Sequence, residues 1–201
     1  MSTTFKRITL AATIIAVVLA IVGVLAMGYR LMNSGDPYEA TSEQDTERAT
    51  QQLLSRPSIE DVEPRVQAIV EQIGAAAAEL VPGMHWKWNR DSELLSCDRP
   101  FDQTSGRKVH LRLLYSGTPI PDEIWPRFFE RARALAATLG ATTQQTVHNG
   151  PSTGVGRDVN FYNPEDGTAI RIGSQRATVI SGIVGCHLPR ADFGSPIPPT
   201  S

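Results

Sequence analysis

Cysteine is scarce, with two residues among 201. That is too few for a disulfide-dense mini-scaffold or a four-Cys zinc site. An excess of one charge is also lacking: 19 Lys+Arg stand against 21 Asp+Glu, a net −2. Such a balance carries no electrostatic footprint for nucleic acid, and a nucleic-acid partner is not expected. Internal repeats are missing, which removes solenoid and propeller architectures. With 41% apolar and 20% charged residues, the chain is neither fully disordered nor collagen-like.

What is present is distributed unevenly. Residues 1–30 hold three basic side chains (Lys6, Arg7, Arg30) and no acidic one, so 16 basic and 21 acidic residues, a net −5, fall to the remainder. Lys6 and Arg7 precede an uncharged run of 22 residues, Ile8 to Tyr29. As a helix rising about 1.5 Å per residue it reaches about 33 Å, enough for a hydrocarbon core about 30 Å thick. The run predicts a signal anchor or transmembrane helix over 1–30. Its flanking cations stay cytoplasmic, which places the following chain outside the cytoplasmic membrane. Cleavage near Val24-Leu25-Ala26 is the rival reading, but the run exceeds the about 7–15 apolar residues of a signal peptide. Leu25-Ala26 are followed by Met27-Gly28, where a lipidated cysteine would stand.

Residues 31–57 are polar and acidic and are expected to form a disordered linker. A folded domain is expected over 58–188. Ser58 and Asp61 resemble a capping box. Ile59, Val62, Val66, Ile69, Val70, Ile73, Ala77 and Leu80 recur at helical spacing, with Pro64 delaying the regular helix. Strands are expected at Met84 to Trp88 and at Lys108 to Tyr115, the latter with Val109, Leu111, Leu113 and Tyr115 on one face. A second helix is expected from Pro121 to Leu139, ended by Gly140. Strands at Thr142 to His148, Asp158 to Tyr162, Thr168 to Gly173 and Ala177 to Cys186 complete the domain, the last two counted as one unit. The order α-β-β-α-β-β-β predicts an α+β domain, an antiparallel sheet covered by two helices. Residues 189–201 are expected to be a Pro-rich tail.

Chemistry-bearing residues are few. Cys97 and Cys186 are expected to form a disulfide, because an exported domain folds in an oxidising compartment; a metal pair or a catalytic thiol are the alternatives. His85, His110, His148 and His187 show no metal-ligand spacing. Gly150-Pro151-Ser152-Thr153-Gly154 matches the form of a nucleophile elbow, but no helix pattern follows it. Ser105 to Lys108 matches S-x-x-K without its companion motifs. Trp86 and Trp88 share a strand face, as core residues or as a stacking platform for which Tyr115 is a further contact. No cofactor is expected.

Several segments stand together in a familiar order: Pro82-Gly83-Met84-His85-Trp86-Lys87-Trp88, Cys97-Asp98, Ala136 to Thr143, Asn160-Phe161-Tyr162 through Arg171-Ile172-Gly173, and Ile180 to Cys186. Over residues 58–188 this arrangement resembles the LppA-like lipoproteins of mycobacteria and related actinobacteria. The resemblance implies a small α+β domain outside the cytoplasmic membrane with Cys97 and Cys186 bonded. It implies no enzymatic activity. The family's lipid-bearing cysteine has no counterpart here, so a spanning helix would replace the lipid. The expected function is a membrane-anchored, non-enzymatic interaction or accessory domain of the cell envelope, whose partner is an envelope protein, lipid or glycan. The alternative is a ligand-binding module for a lipid, glycan or peptide, with Trp86, Trp88 and Tyr115 as contacts. A third reading, an envelope hydrolase using Ser152, rests on residues too scattered to assemble by sequence.

Overall fold

A computed structural model describes residues 40–149 and 157–194. The apolar run at 8–29, Ser152 and its glycine-rich loop, and the tail beyond 194 lie outside the described residues. Among the described residues no helix is long and apolar enough to cross a membrane.

The first described helix, α1 (Glu43–Leu54), falls where a linker is expected. Ser42 caps it by accepting the Asp45 N–H, and Glu43 and Asp45 suit the positive end of its dipole. Just before it, the Thr41 N–H and hydroxyl both donate to the Asp102 carboxylate. One turn is apolar: Ala49 and Leu53 are buried, and Leu53 packs with Cys97, Cys186, Leu188, Phe101 and Phe193. The linker expectation is thereby corrected for 43–54. One fully buried leucine docks an otherwise polar helix.

The long helix α2 (Ile59–Leu80) carries Val66, Val70, Ile73 and Ala77 on its fully buried stripe. It starts at Ile59, not at Pro64. Pro64 lies in the second turn, where its missing N–H removes one intrahelical bond. The capping box is also modified: the Ser58 hydroxyl bonds the Asp61 carboxylate at 2.7 Å and makes no bond to the helix backbone. Helix α3 (Trp125–Ala137) packs against α2, burying Phe128, Ala132 and Ala136.

Eight strands form one antiparallel sheet: β1 (Lys87–Asn89), β2 (Glu93–Ser96), β3 (Arg107–His110), β4 (Leu113–Ser116), β5 (Thr143–Asn149), β6 (Arg157–Tyr162), β7 (Ala169–Ser174) and β8 (Thr178–His187). The main order is β1-β4-β8-β7-β6-β5. The ten-residue β8 is the spine, pairing with β7 along one edge and with β4 and then β3 along the other. Strand β2 extends the sheet beyond β3. Helix α2 lies over β8, where Gly182 lets Val66 and Val70 approach closely, and α3 lies over β6. Phe161, Ile170, Ile172 and Ile180 fill the interface beneath.

The single strand expected over 108–115 is two strands. His110 pairs with Ile183 and Leu114 with Ile180, so four steps on one side oppose three on the other. The extra residue reverses which side chains face the helices. Val109 and Leu111 are buried before the break, Leu114 and Ser116 after it. Leu113 and Tyr115 therefore leave the face they were expected to share with Val109. At the C-terminal end the tail does not begin at 189. Leu188 is buried and accepts the Ile59 N–H, and a 3-10 turn, Arg190–Asp192, is held to Glu60 and Asp61.

Candidate functional site

Cys97 and Cys186 form a disulfide, with Cα atoms 5.6 Å apart and a sequence separation of 89. Neither sulfur is free for metal binding, nucleophilic attack or a thioether-linked lipid. The bond ties the loop after β2 to the end of β8, where α1 is docked.

Beside it opens a cleft of about 620 Å³, with Arg56, Arg65, Phe101, Asp166 and His187 in its walls. Three separate stretches of chain meet there: the α1–α2 junction, the loop after Cys97, and the Asn163–Gly167 turn. Arg56 joins them. Its guanidinium donates to the carbonyls of Cys186 at 2.9 Å and Glu165 at 2.5 Å, and lies 4.7 Å from the centre of the Phe101 ring. Burial lowers its pKa from the ordinary value, and the carboxylates of Asp166 and Glu165 oppose that shift.

His187 is 2% exposed. Its Nδ1 lies 3.0 Å from the Pro57 carbonyl, which can only accept, so this nitrogen carries a proton. Its Nε2 lies 3.5 Å from Asp166 Oδ2, within ion-pair range but without hydrogen-bond geometry. Burial pushes the Asp166 pKa up. The facing His187 and the N–H and hydroxyl of Thr168 outweigh it, so the net shift is downward. A carboxylate with a depressed folded pKa stabilises the fold above the unfolded value, near 4, and stops doing so as pH falls through the lower folded value. Thermal unfolding of wild type and Asp166→Asn from pH 6 to pH 3 should show their midpoints converging at the acid end. Parallel curves would remove Asp166 from the account.

Histidine and carboxylate together suggest acid–base chemistry, but the described residues offer His187 only the Pro57 carbonyl and Asp166. No group of three or more His, Cys, Asp or Glu side chains that could hold a metal converges among the described residues. The arrangement is a clasp that closes the sheet onto the α1–α2 junction. Sequence reading missed it because Arg56, Asp166 and His187 are far apart in the chain and belong to no motif.

The three candidate ligand contacts do not form one site. Trp86 is half-buried against the helices and donates its indole N–H to the Gly74 carbonyl at 2.8 Å. Trp88 is half-buried on β1, opposite Leu114, with the Arg112 guanidinium 5.5 Å from its ring centre. Tyr115 pairs with Lys87 and takes the other face of the sheet, since alternate strand residues face opposite ways. His85, in the loop before β1, and His110, on β3, are exposed.

A second hollow, of about 240 Å³, lies between α3 and β5. Trp125, Pro126 and Phe129 wall it on the helix side, and Gln144 and Thr146 on the strand side. The Gln144 amide donates to the Thr146 hydroxyl at 3.1 Å. The charges at its rim are paired. Arg157 bonds Asp122 and lies 5.2 Å from the Trp125 ring centre, while Asp158 bonds Arg171.

The fold and sequence have relatives. The crystal structure of the lipoprotein LppA from Mycobacterium tuberculosis superposes with a TM-score of 0.63 at 19% identity, covering 78% of this chain and 96% of that one. That likeness establishes the fold. The uncharacterised lipoprotein LprP, from Mycobacterium bovis and from Mycobacterium tuberculosis, is 26% identical over 187 residues, covering 89% of this chain and 83% of LprP. The family profile LppA, described as a lipoprotein confined to pathogenic Mycobacterium, matches residues 34–190. With that match spanning most of the chain, the protein belongs to the LppA lipoprotein family.

Proposed function

We propose that this protein is a single-pass, membrane-held accessory domain of the cell envelope that acts outside the cytoplasmic membrane by binding rather than by catalysis. The observation that carries this reading is the early start of the folded unit. Thr41 is already bonded to Asp102, and only ten residues separate it from Arg30, the end of the apolar segment. Ten residues reach at most about 35 Å. A tether of that length would keep the domain within reach of the membrane surface. The lipoprotein relatives and the disulfide, which suits an oxidising compartment, support the same location.

Protease added to intact spheroplasts tests the topology. The domain should be digested from outside while the N-terminal segment stays with the membrane. Full protection until the membrane is lysed would overturn it. A ligand-binding role is the second reading, and the hollow beside β5 favours it over the separated Trp86, Trp88 and Tyr115.

A further inference from the structure

Among the described residues the sheet ends in three edges, and they differ. β1 is three residues long and opens with Lys87, and β2 is four residues long and opens with Glu93. Short length and charge are the usual protections of an edge against pairing with another chain. β5 lacks both. It runs seven residues, Thr-Gln-Gln-Thr-Val-His-Asn, without Asp, Glu, Lys, Arg, Pro or Gly. Among the described residues only β6 pairs with it, and the register stays regular from Thr143 to Thr146 before an irregularity ahead of His148. Alternate residues of such an edge turn their N–H and C=O groups outward.

The helix layer stops one strand short of this edge. Gln144 and Thr146 pair with Phe161 and Val159, which are buried under the helix layer, yet both β5 side chains are exposed. The hollow is the step left between α3 and β5, and its helix-side wall is apolar. Unpaired main-chain groups and an apolar pocket thus lie side by side, the combination used to bind peptides by strand addition.

We infer that β5 binds an extended peptide segment of another envelope protein, which adds a strand to the sheet and places one large apolar side chain between Trp125, Pro126 and Phe129. The paired charges at the rim favour an uncharged side chain there. A second copy of this chain fits less well. The described β5 side chains that it would bring to the apolar hollow, Gln144 and Thr146, are polar. The inference deepens the binding role proposed above by naming the partner's chemistry, and it does not depend on the anchor. Failure to bind peptide with the topology intact would sink it alone.

The full chain in detergent is titrated with the peptide Lys-Thr-Val-Thr-Phe-Thr-Val-Lys and followed by amide NMR. Shifts should concentrate at Thr143 to Thr146 and at the Trp125 indole. Three changes should each weaken binding about tenfold or more: replacing the peptide's Phe by Ala, placing Trp125→Ala in the protein, and placing Thr146→Asp on the exposed strand. Thr146→Asp leaves the core untouched and covers the case in which Trp125→Ala unfolds. Two peptides N-methylated on alternate residues, in the two phases, test the backbone contact, and one of them should lose binding. Equal affinity for every peptide would overturn the inference. So would the same shifts from chitotriose, or self-association of the chain through β5 in the absence of peptide.

Discussion

Replacing Cys97 and Cys186 together by Ala is expected to destabilise the domain by about 4–5 kcal/mol, the largest effect of any change considered. Their bond closes a loop across 89 residues of sequence, and the chain-entropy account puts its restriction of the unfolded state at that size. For a domain of this length the midpoint of thermal unfolding should fall by about 10–20 °C. A reductant that reaches the bond should do the same to the wild type. Packing adds to the effect, because Leu53 and Leu188 bury themselves against the two sulfurs. The loss should therefore appear first as undocking of α1, seen in faster amide exchange over residues 43–54. A midpoint shift below about 5 °C would mean that the clasp of Arg56 and His187 holds this end of the domain without the disulfide.

Gly185→Ala is the single substitution expected to cost most for its size. A Cβ there would stand 2.1 Å from the Asp166 carbonyl oxygen and 2.7 Å from the Thr168 nitrogen, both backbone atoms. The Asn163–Gly167 turn crosses β8 at this point. It is held by the Cys186 N–H to the Asp166 carbonyl at 2.8 Å and by the Gly185 N–H to the Thr168 hydroxyl. One methyl group must push the turn away, which breaks these bonds and pulls Asp166 from His187. Overpacking of this kind costs about 2–3 kcal/mol, or about 5–10 °C in the midpoint. Gly173→Ala is the control, since among the described residues its Cβ would meet only the Arg157 carbonyl, at 4.0 Å. Circular dichroism melts of the two variants should separate clearly. Equal midpoints would show that the turn yields freely.

Elements with a dense apolar period were legible in the sequence, and those held by a few long-range contacts were not. α2 buries a residue on nearly every turn and differs from expectation in starting at Ile59 rather than Pro64, while β6, β7 and β8 alternate or run apolar and match expectation within a residue. α1 has two buried residues in twelve, a stripe too sparse to set it apart from a solvated linker. The extra residue between β3 and β4 has no local marker: Leu111 to Tyr115 alternates well enough to pass as one strand. It was this residue that sent Tyr115 to the face opposite Trp88. The disulfide followed from compartment and cysteine count. The clasp of Arg56, Asp166 and His187 depends on contacts across more than 100 residues for which no short motif exists. The hollow at β5 was obscured in the same way, because Trp125 and Phe129 read as ordinary members of a helix's apolar face. What exposes them is that the helix layer ends over β6.

We propose a disulfide-closed domain held outside the cytoplasmic membrane by its own N-terminal segment. The most direct measurement is the intact mass and thiol content of the protein taken from the membrane fraction without reductant. The mass should include residues 1–30 and no added lipid, and no thiol should react before reduction. A mass beginning near Met27, or two reactive thiols at Cys97 and Cys186, would contradict it.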